Sequence, residues 1–133
     1  MSEQNINWQP TSMISVFVEM VAEMLESAQA QLANLKRAQE KPHVLDNEII
    51  ERLLTSYGEQ NTLIPIYLEQ CQRWQEESLN DKQTEWVADI ENNLTSLQLI
   101  TQEILRIAEF CSDKTINKAL GKSDIEAGLE LFK

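Results

Sequence analysis

The chain has 133 residues and carries 22 acidic against 11 basic side chains, a formal net charge of −11. Because so acidic a surface repels a phosphate backbone, we expect no nucleic-acid partner. Only three glycines are present, Gly58, Gly121 and Gly128, so the glycine-rich loops that bind phosphates cannot be formed. The single histidine, His43, likewise excludes zinc motifs that need two.

The longest apolar stretch, residues 13–25, is interrupted by Glu19 and Glu23 and is shorter than the ~20 apolar residues that span a bilayer. The first residues lack the basic and then apolar order of a secretion signal. Cys71 and Cys111 lie in apolar stretches without a second cysteine nearby, which indicates buried thiols. We therefore expect a cytoplasmic protein that does not contact a membrane and uses no cofactor.

The pattern of apolar residues predicts a loose tail over residues 1–11 and a single helical domain over residues 12–133. The first helix is predicted from about residue 12 to about residue 40. Its apolar residues recur at alternating steps of four and three, a heptad that is typical of packed helices. The residues of this heptad are Ile14, Val18, Val21, Leu25, Ala28, Leu32 and Leu35.

A second helix is predicted to begin at Asp46, whose side chain can cap it, and to end at Gly58. A third is predicted to begin at Asn61 or Thr62, with Pro65 in or next to its first turn, where proline is tolerated. The inner positions are Ile49, Ile50, Leu53, Leu54 and Tyr57 in the second helix, and Ile64, Tyr67, Leu68, Cys71 and Trp74 in the third.

A long fourth helix is predicted over residues 81–112, after a capping box formed by Asn80 and Gln83. Thr101 falls in a gap of its apolar stripe. Two short helices, over residues 115–120 and 123–132, are predicted to follow. The stripe of the fourth helix consists of Val87, Ile90, Leu94, Leu97, Ile104, Ala108 and Cys111.

The predicted fold is an all-α antiparallel bundle of four main helices, of which the first and fourth are long, with two short C-terminal helices. The second and third helices either form one kinked rod or reverse direction at residues 58–61. We favour the reversal, because it places two very apolar stretches, residues 13–25 and 99–111, side by side. The C-terminal helices can then cover both stretches.

The first helix is more apolar than its heptad requires, since 10 of the 13 residues in 13–25 are apolar. An isolated chain would expose some of them, and large exposed apolar patches mark interaction sites. We therefore predict a non-enzymatic bundle protein that acts through protein contact, most simply as a homodimer. The alternative cover is the C-terminal helix near Leu129 and Phe132. The candidate interface residues are Met13, Val16, Phe17, Met20 and Met24.

The alternative function rests on two ExxE motifs, Glu23 to Glu26 and Glu48 to Glu51. Their spacing resembles the acidic motifs with which all-α nucleotide pyrophosphohydrolases hold Mg²⁺ on facing helices. The resemblance implies a Mg²⁺-dependent hydrolase with these four carboxylates as ligands. The heptad, however, places Glu23 and Glu26 on the outer face of the first helix, and no paired basic residues lie nearby to bind a triphosphate. We therefore expect a solvated acidic surface and no metal site.

Overall fold

A computed structural model describes residues 6–41 and 45–112, and every statement below concerns these residues. The described chain is helical without strands. The two short helices predicted after residue 112, with Leu129 and Phe132, lie outside the described residues, and so does His43. Residues 6–10 are neither helix nor strand, and the elements that follow are a single 3-10 turn (Thr11–Met13), α1 (Ile14–Gln39), α2 (Asn47–Gln75) and α3 (Asp81–Ser112).

The prediction of four main helices is wrong, because the second and third predicted helices form the single continuous helix α2. Gly58 lies inside α2 and its φ is negative, so it does not adopt the left-handed conformation with which glycine ends a helix. Pro65 is also in the interior of α2 rather than in a first turn. The reversal at residues 58–61 is therefore wrong, and residues 6–41 and 45–112 contain three long helices instead of four.

A polar residue completes the inner stripe of α2 where the sequence shows a gap. Gln60 lies between Tyr57 and Ile64 at helical spacing and is half-buried. Its Nε2 donates a hydrogen bond of 2.9 Å to Oγ1 of Thr101, which is fully buried on α3. The inner stripe of α2 therefore continues from Tyr57 through Gln60 to Ile64, and the buried Thr101 hydroxyl has a hydrogen-bond partner.

The predicted helix starts of α2 and α3 are confirmed. Asp46 accepts a hydrogen bond of 2.8 Å from the backbone N–H of Ile49. Asn80 and Gln83 form a reciprocal capping box, with N–H to side-chain oxygen distances of 3.1 and 2.7 Å. These bonds satisfy backbone donors that a helix start otherwise leaves unpaired.

The core is built around α3, which packs closely against both other helices, whereas the backbones of α1 and α2 stay further apart. Side chains join α1 to α2 at one end, where the Phe17 ring lies edge-to-face against Tyr67 and Trp74, with centroid distances of 5.8 and 5.2 Å. The bundle therefore has an open side between α1 and α2.

None of the described helices combines the length and apolar character needed to cross a membrane.

Candidate functional site

A groove of about 250 Å³ lies on the open side of the bundle. It is bounded by α1, by α2 and by the segment of residues 6–10, which is neither helix nor strand and which we call the strap. The sequence predicts a loose tail over residues 1–11, and within this segment the backbone of Gln9 is hydrogen-bonded to Gln70 and Trp74 of α2. The groove is lined mainly by apolar side chains, among them Ile6, Trp8, Phe17, Leu63, Ile66 and Tyr67.

The side chain of Gln70 binds the main chain of the strap. The backbone N–H of Gln9 donates to Oε1 of Gln70 at 2.6 Å, and Nε2 of Gln70 donates back to the Gln9 carbonyl at 3.4 Å. In extended backbone the N–H and C=O of one residue point to the same side, so a single side-chain amide can pair with both. Gln70 thus bonds to the strap as a neighbouring β-strand would.

Trp74 completes this attachment, and we call Gln70 and Trp74 together the clamp. The Trp74 indole Nε1–H donates to the same Gln9 carbonyl at 2.9 Å. The side chains of both clamp residues are buried, with 4% of Gln70 and none of Trp74 exposed. A buried polar group without a hydrogen-bond partner lowers the stability of the folded state. The clamp side chains and the Gln9 backbone therefore each need the other as a partner.

The Arg73 side chain contacts the strap through the Trp8 ring. The Arg73 guanidinium lies 4.0 Å from the centre of the Trp8 ring, within the range of a cation–π interaction. Glu69, one helical turn earlier, accepts two hydrogen bonds from Arg73 at 2.9 and 3.1 Å and so orients it. The strap is therefore attached through one side chain, Trp8, and through the main chain of Gln9.

The candidate interface residues, Met13 at the end of the 3-10 turn and four residues of α1, occupy two different environments. Met13, Phe17, Met20 and Met24 follow one helical stripe, and all four are half-buried against the core. Phe17 faces α2, as its ring contacts show, so this stripe borders the open side of the bundle. Val16 lies beside the stripe and is 51% exposed, the highest value of any large apolar side chain on α1.

The four carboxylates of the hydrolase alternative are not brought together. Glu23, Glu26, Glu48 and Glu51 are all exposed, and Glu48 pairs with Arg52 one turn along α2 at 3.5 Å. No group of three or more acidic, histidine or cysteine side chains in the described chain has the arrangement of a metal site.

The two thiols are free and buried in the core. Burial, together with the negative charge of Glu91, raises the pKa of Cys71 to about 12. Burial also raises the pKa of Cys111. Because the thiolate is the reactive form, neither side chain is suited to act as a nucleophile near neutral pH.

Sequence reasoning placed Trp74 on an inner face but missed Gln70 and the strap. Two signals pointed to them. Gln70 is a polar residue next to the inward-facing Cys71, and it lies one turn before Trp74 on the same helix. Trp8 is a large aromatic residue in the segment predicted to be a loose tail. A side chain of this size indicates that the segment packs against the rest of the protein.

The chain matches no protein-family model, no curated protein and no solved structure. What can be said of its fold therefore comes from the described residues, which form a bundle of three helices with residues 6–10 bound to α2.

Proposed function

We propose that the protein is a non-enzymatic interaction protein that pairs with a second copy of itself through the open side of the bundle. The observation that carries the proposal is the exposure of Val16, next to the apolar stripe of α1. Leu63, 40% exposed, adds apolar surface on the α2 side of the groove. Burying this surface in a partner contributes about 25 cal/mol for each Å² removed from water.

A second copy is the partner that the arrangement favours. Every copy presents the same apolar surface, and a twofold axis makes such a surface self-complementary. The exposed acids Glu19 and Glu23 lie one and two turns after Val16, so they would form the rim of the interface. Charges at a solvated rim are screened within about 8 Å at physiological salt, so they weaken the pairing without preventing it.

The compartment that fits this proposal is the cytoplasm. Cys71 and Cys111 are free in the core, and cysteines in oxidising compartments are more often found in disulfides. The free thiols therefore support the expectation made from the sequence.

Substitution of Val16 tests the proposed interface. Val16→Glu should convert the dimer to a folded monomer of unchanged helicity, as measured by light scattering after gel filtration and by circular dichroism. The matched control is Leu99→Glu, because Leu99 is 65% exposed on α3, which contributes no residue to the groove. The control should remain dimeric.

Two other outcomes contradict the proposal. If the Val16→Glu protein stays dimeric and its melting temperature is unchanged, Val16 is exposed to solvent in the dimer. The observation on which the proposed interface rests would then be lost. A monomer that is strongly destabilised would place Val16 under another part of its own chain, since a buried unpaired carboxylate is costly.

A further inference from the structure

A second groove lies between α1 and α2 at the end of the bundle away from the strap, where α1 ends and α2 begins. Its volume is about 460 Å³. Three residues of α2 at successive turns, Ile49, Leu53 and Tyr57, form what we call its apolar wall, and polar side chains such as Gln31 of α1 line the rest. Ile49 is 38% exposed, so part of the wall is in contact with water. A segment that covered the wall would remove this apolar surface from water.

The C-terminus of α3 lies at the same end of the bundle. Near the end of α2, Gln75 donates a hydrogen bond to Glu91 of α3. Gln60, earlier on α2, donates to Thr101, later on α3. The two helices are therefore antiparallel. Because α3 continues beyond Thr101 for as many residues as separate Gln60 from Ile49, it ends level with the second groove.

The chain continues from the end of α3 with residues 113–133, which lie outside the described residues. This segment begins beside the second groove. At ~3.3 Å for each extended residue, residues 113–122 alone reach up to ~33 Å, whereas packed helices have axes ~8–10 Å apart. The segment is therefore long enough to cross the end of the bundle to the open side. Since Val16 lies at the other end of α1, the second groove is the nearer apolar surface.

The sequence of this segment contains an apolar face that needs a cover. The helix predicted over residues 123–132 carries Ile125, Leu129 and Phe132 at steps of four and three, on one face. A helix shorter than ~12 residues is marginally stable alone in water, so it needs packing on that face. The apolar wall of the second groove has a helical repeat of its own, so the two stripes can pack along each other.

The charges of the segment and of the bundle are complementary at this end. Residues 113–122 carry three lysines and one acidic side chain. Glu40, Glu48 and Glu51 are exposed where α1 ends and α2 begins. Opposite charges attract each other within about 8 Å at physiological salt. Twofold pairing of two chains at this surface would instead bring these carboxylates against their own copies.

We propose that residues 113–133 fold back onto the bundle, so that the helix predicted over residues 123–132 lies in the second groove with its apolar face against the apolar wall. The chain's own segment is the favoured occupant, because its attachment to α3 gives it a high effective concentration at the groove. The fold-back does not depend on self-association. It covers one end of the open side and leaves Val16 exposed at the other.

Photocrosslinking in the full chain tests this placement. Photoreactive benzoylphenylalanine replaces Phe132 in one preparation, which is mixed with wild-type chain labelled with nitrogen-15. The matched control carries the photoreactive residue in place of Glu130, on the far side of the predicted helix. After irradiation, mass spectrometry locates each crosslink and assigns it to one chain or to two.

We expect crosslinks from position 132 to residues 49–57 of α2 within a single light chain, and few from position 130. Ile49→Glu in the same chain should lower the yield from position 132 about fivefold or more, since it sets a carboxylate against the apolar face. Leu99→Glu, on α3, should leave the yield unchanged. Val16→Glu should leave it unchanged too, so a failure of the proposed self-association would not affect this result. Circular dichroism checks that each variant keeps its helicity.

Three results would overturn the fold-back. Crosslinks near Val16 or Leu63 would place the segment over the surface proposed for pairing. Crosslinks to residues 49–57 that join a light chain to a heavy one would make the segment of a second copy the occupant. Equal or absent crosslinking from positions 130 and 132 would mean that the apolar face is not held in the second groove.

Discussion

Gln70 illustrates how a single polar residue can determine the position of a distant segment. It lies between Glu69 and Cys71 on α2, 61 residues away in sequence from the backbone that it binds. Neither the heptad nor any local motif predicts such a partner, because the pairing uses the main chain of Gln9 and leaves no trace in side-chain patterns. The apolar character of Trp8 is the one residue-level signal that the strap is attached.

Replacing Gln70 by leucine should lower the free energy of unfolding by about 1–3 kcal/mol, the cost of leaving the Gln9 backbone without its partner. Trp74→Phe, which removes the indole N–H and leaves a cavity at a fully buried position, should lower it by about 1–3 kcal/mol. Urea denaturation measures both. If Gln70→Leu instead stabilised the protein, the strap would not be bound in solution, because the leucine would simply replace a buried polar group.

The buried thiol of Cys71 makes stability depend on pH in the alkaline range. Its pKa is raised to about 12 in the folded chain, whereas an unfolded cysteine titrates near 8.5. Below pH ~8.5 both states hold the proton and stability is unaffected. Above it the unfolded chain loses the proton first, so the free energy of unfolding should fall as the pH rises towards 12.

Denaturation of the wild type between pH 8 and 11 should show this decline, and Cys71→Ala should show a shallower one. A residual slope is expected in the variant, because burial also raises the pKa values of Cys111 and Tyr57. Equal slopes in the two proteins would mean that Cys71 is accessible to water.

At the scale of the elements, the apolar pattern predicted most of the helices correctly. Each residue of the predicted stripe of α3 is buried, and the heptad of α1 lies inward or half-buried throughout. The error arose at Gly58 and Pro65, which were interpreted as a helix end and a helix start. Gln60 continues the inner stripe of α2 between Tyr57 and Ile64, but its polar side chain does not stand out in a pattern of apolar residues.

Gly58→Ala tests the continuity of α2 directly. A Cβ added at this position meets no atom within 4 Å, and the backbone of Gly58 is helical. Alanine should therefore raise the free energy of unfolding by roughly 0.5–1 kcal/mol, through its higher helix propensity. Thermal and urea denaturation measure the change. A loss of stability would indicate a left-handed turn at residue 58, as the reversal requires.

At the scale of the whole molecule, the open side could not be predicted from the sequence. The apolar excess of α1 indicates an extra contact surface, but Phe17 lies against α2 of its own chain, and Val16 is the one large apolar side chain of α1 that is strongly exposed. Which apolar residue serves the core and which the surface depends on how far α1 and α2 stand apart. That separation depends on how the two helices pack on α3. The spacing of apolar residues in the sequence does not predict it.

The hydrolase alternative makes a prediction for the intact protein. With its four carboxylates exposed and apart, the chain should show no change of melting temperature in Mg²⁺ or Mn²⁺. A metal bound at 100 times its dissociation constant would add about 2.7 kcal/mol to stability. A rise in melting temperature that is lost in the double variant Glu23→Gln, Glu51→Gln would support the hydrolase instead.

Salt should strengthen the self-association of so acidic a chain. Two copies of net charge −11 repel each other, and added salt screens this repulsion while leaving the apolar contacts in place. The dissociation constant of the dimer should therefore fall between 50 and 500 mM sodium chloride. An increase over the same range would indicate an interface held by opposite charges rather than by apolar surface.

Sedimentation equilibrium of the unmodified full chain, over a wide range of concentrations at fixed salt, tests the central claim most directly. A chain that pairs through its open side should show a reversible shift from the mass of one chain to the mass of two as concentration rises. The mass of a single chain at every concentration would contradict the proposed dimer.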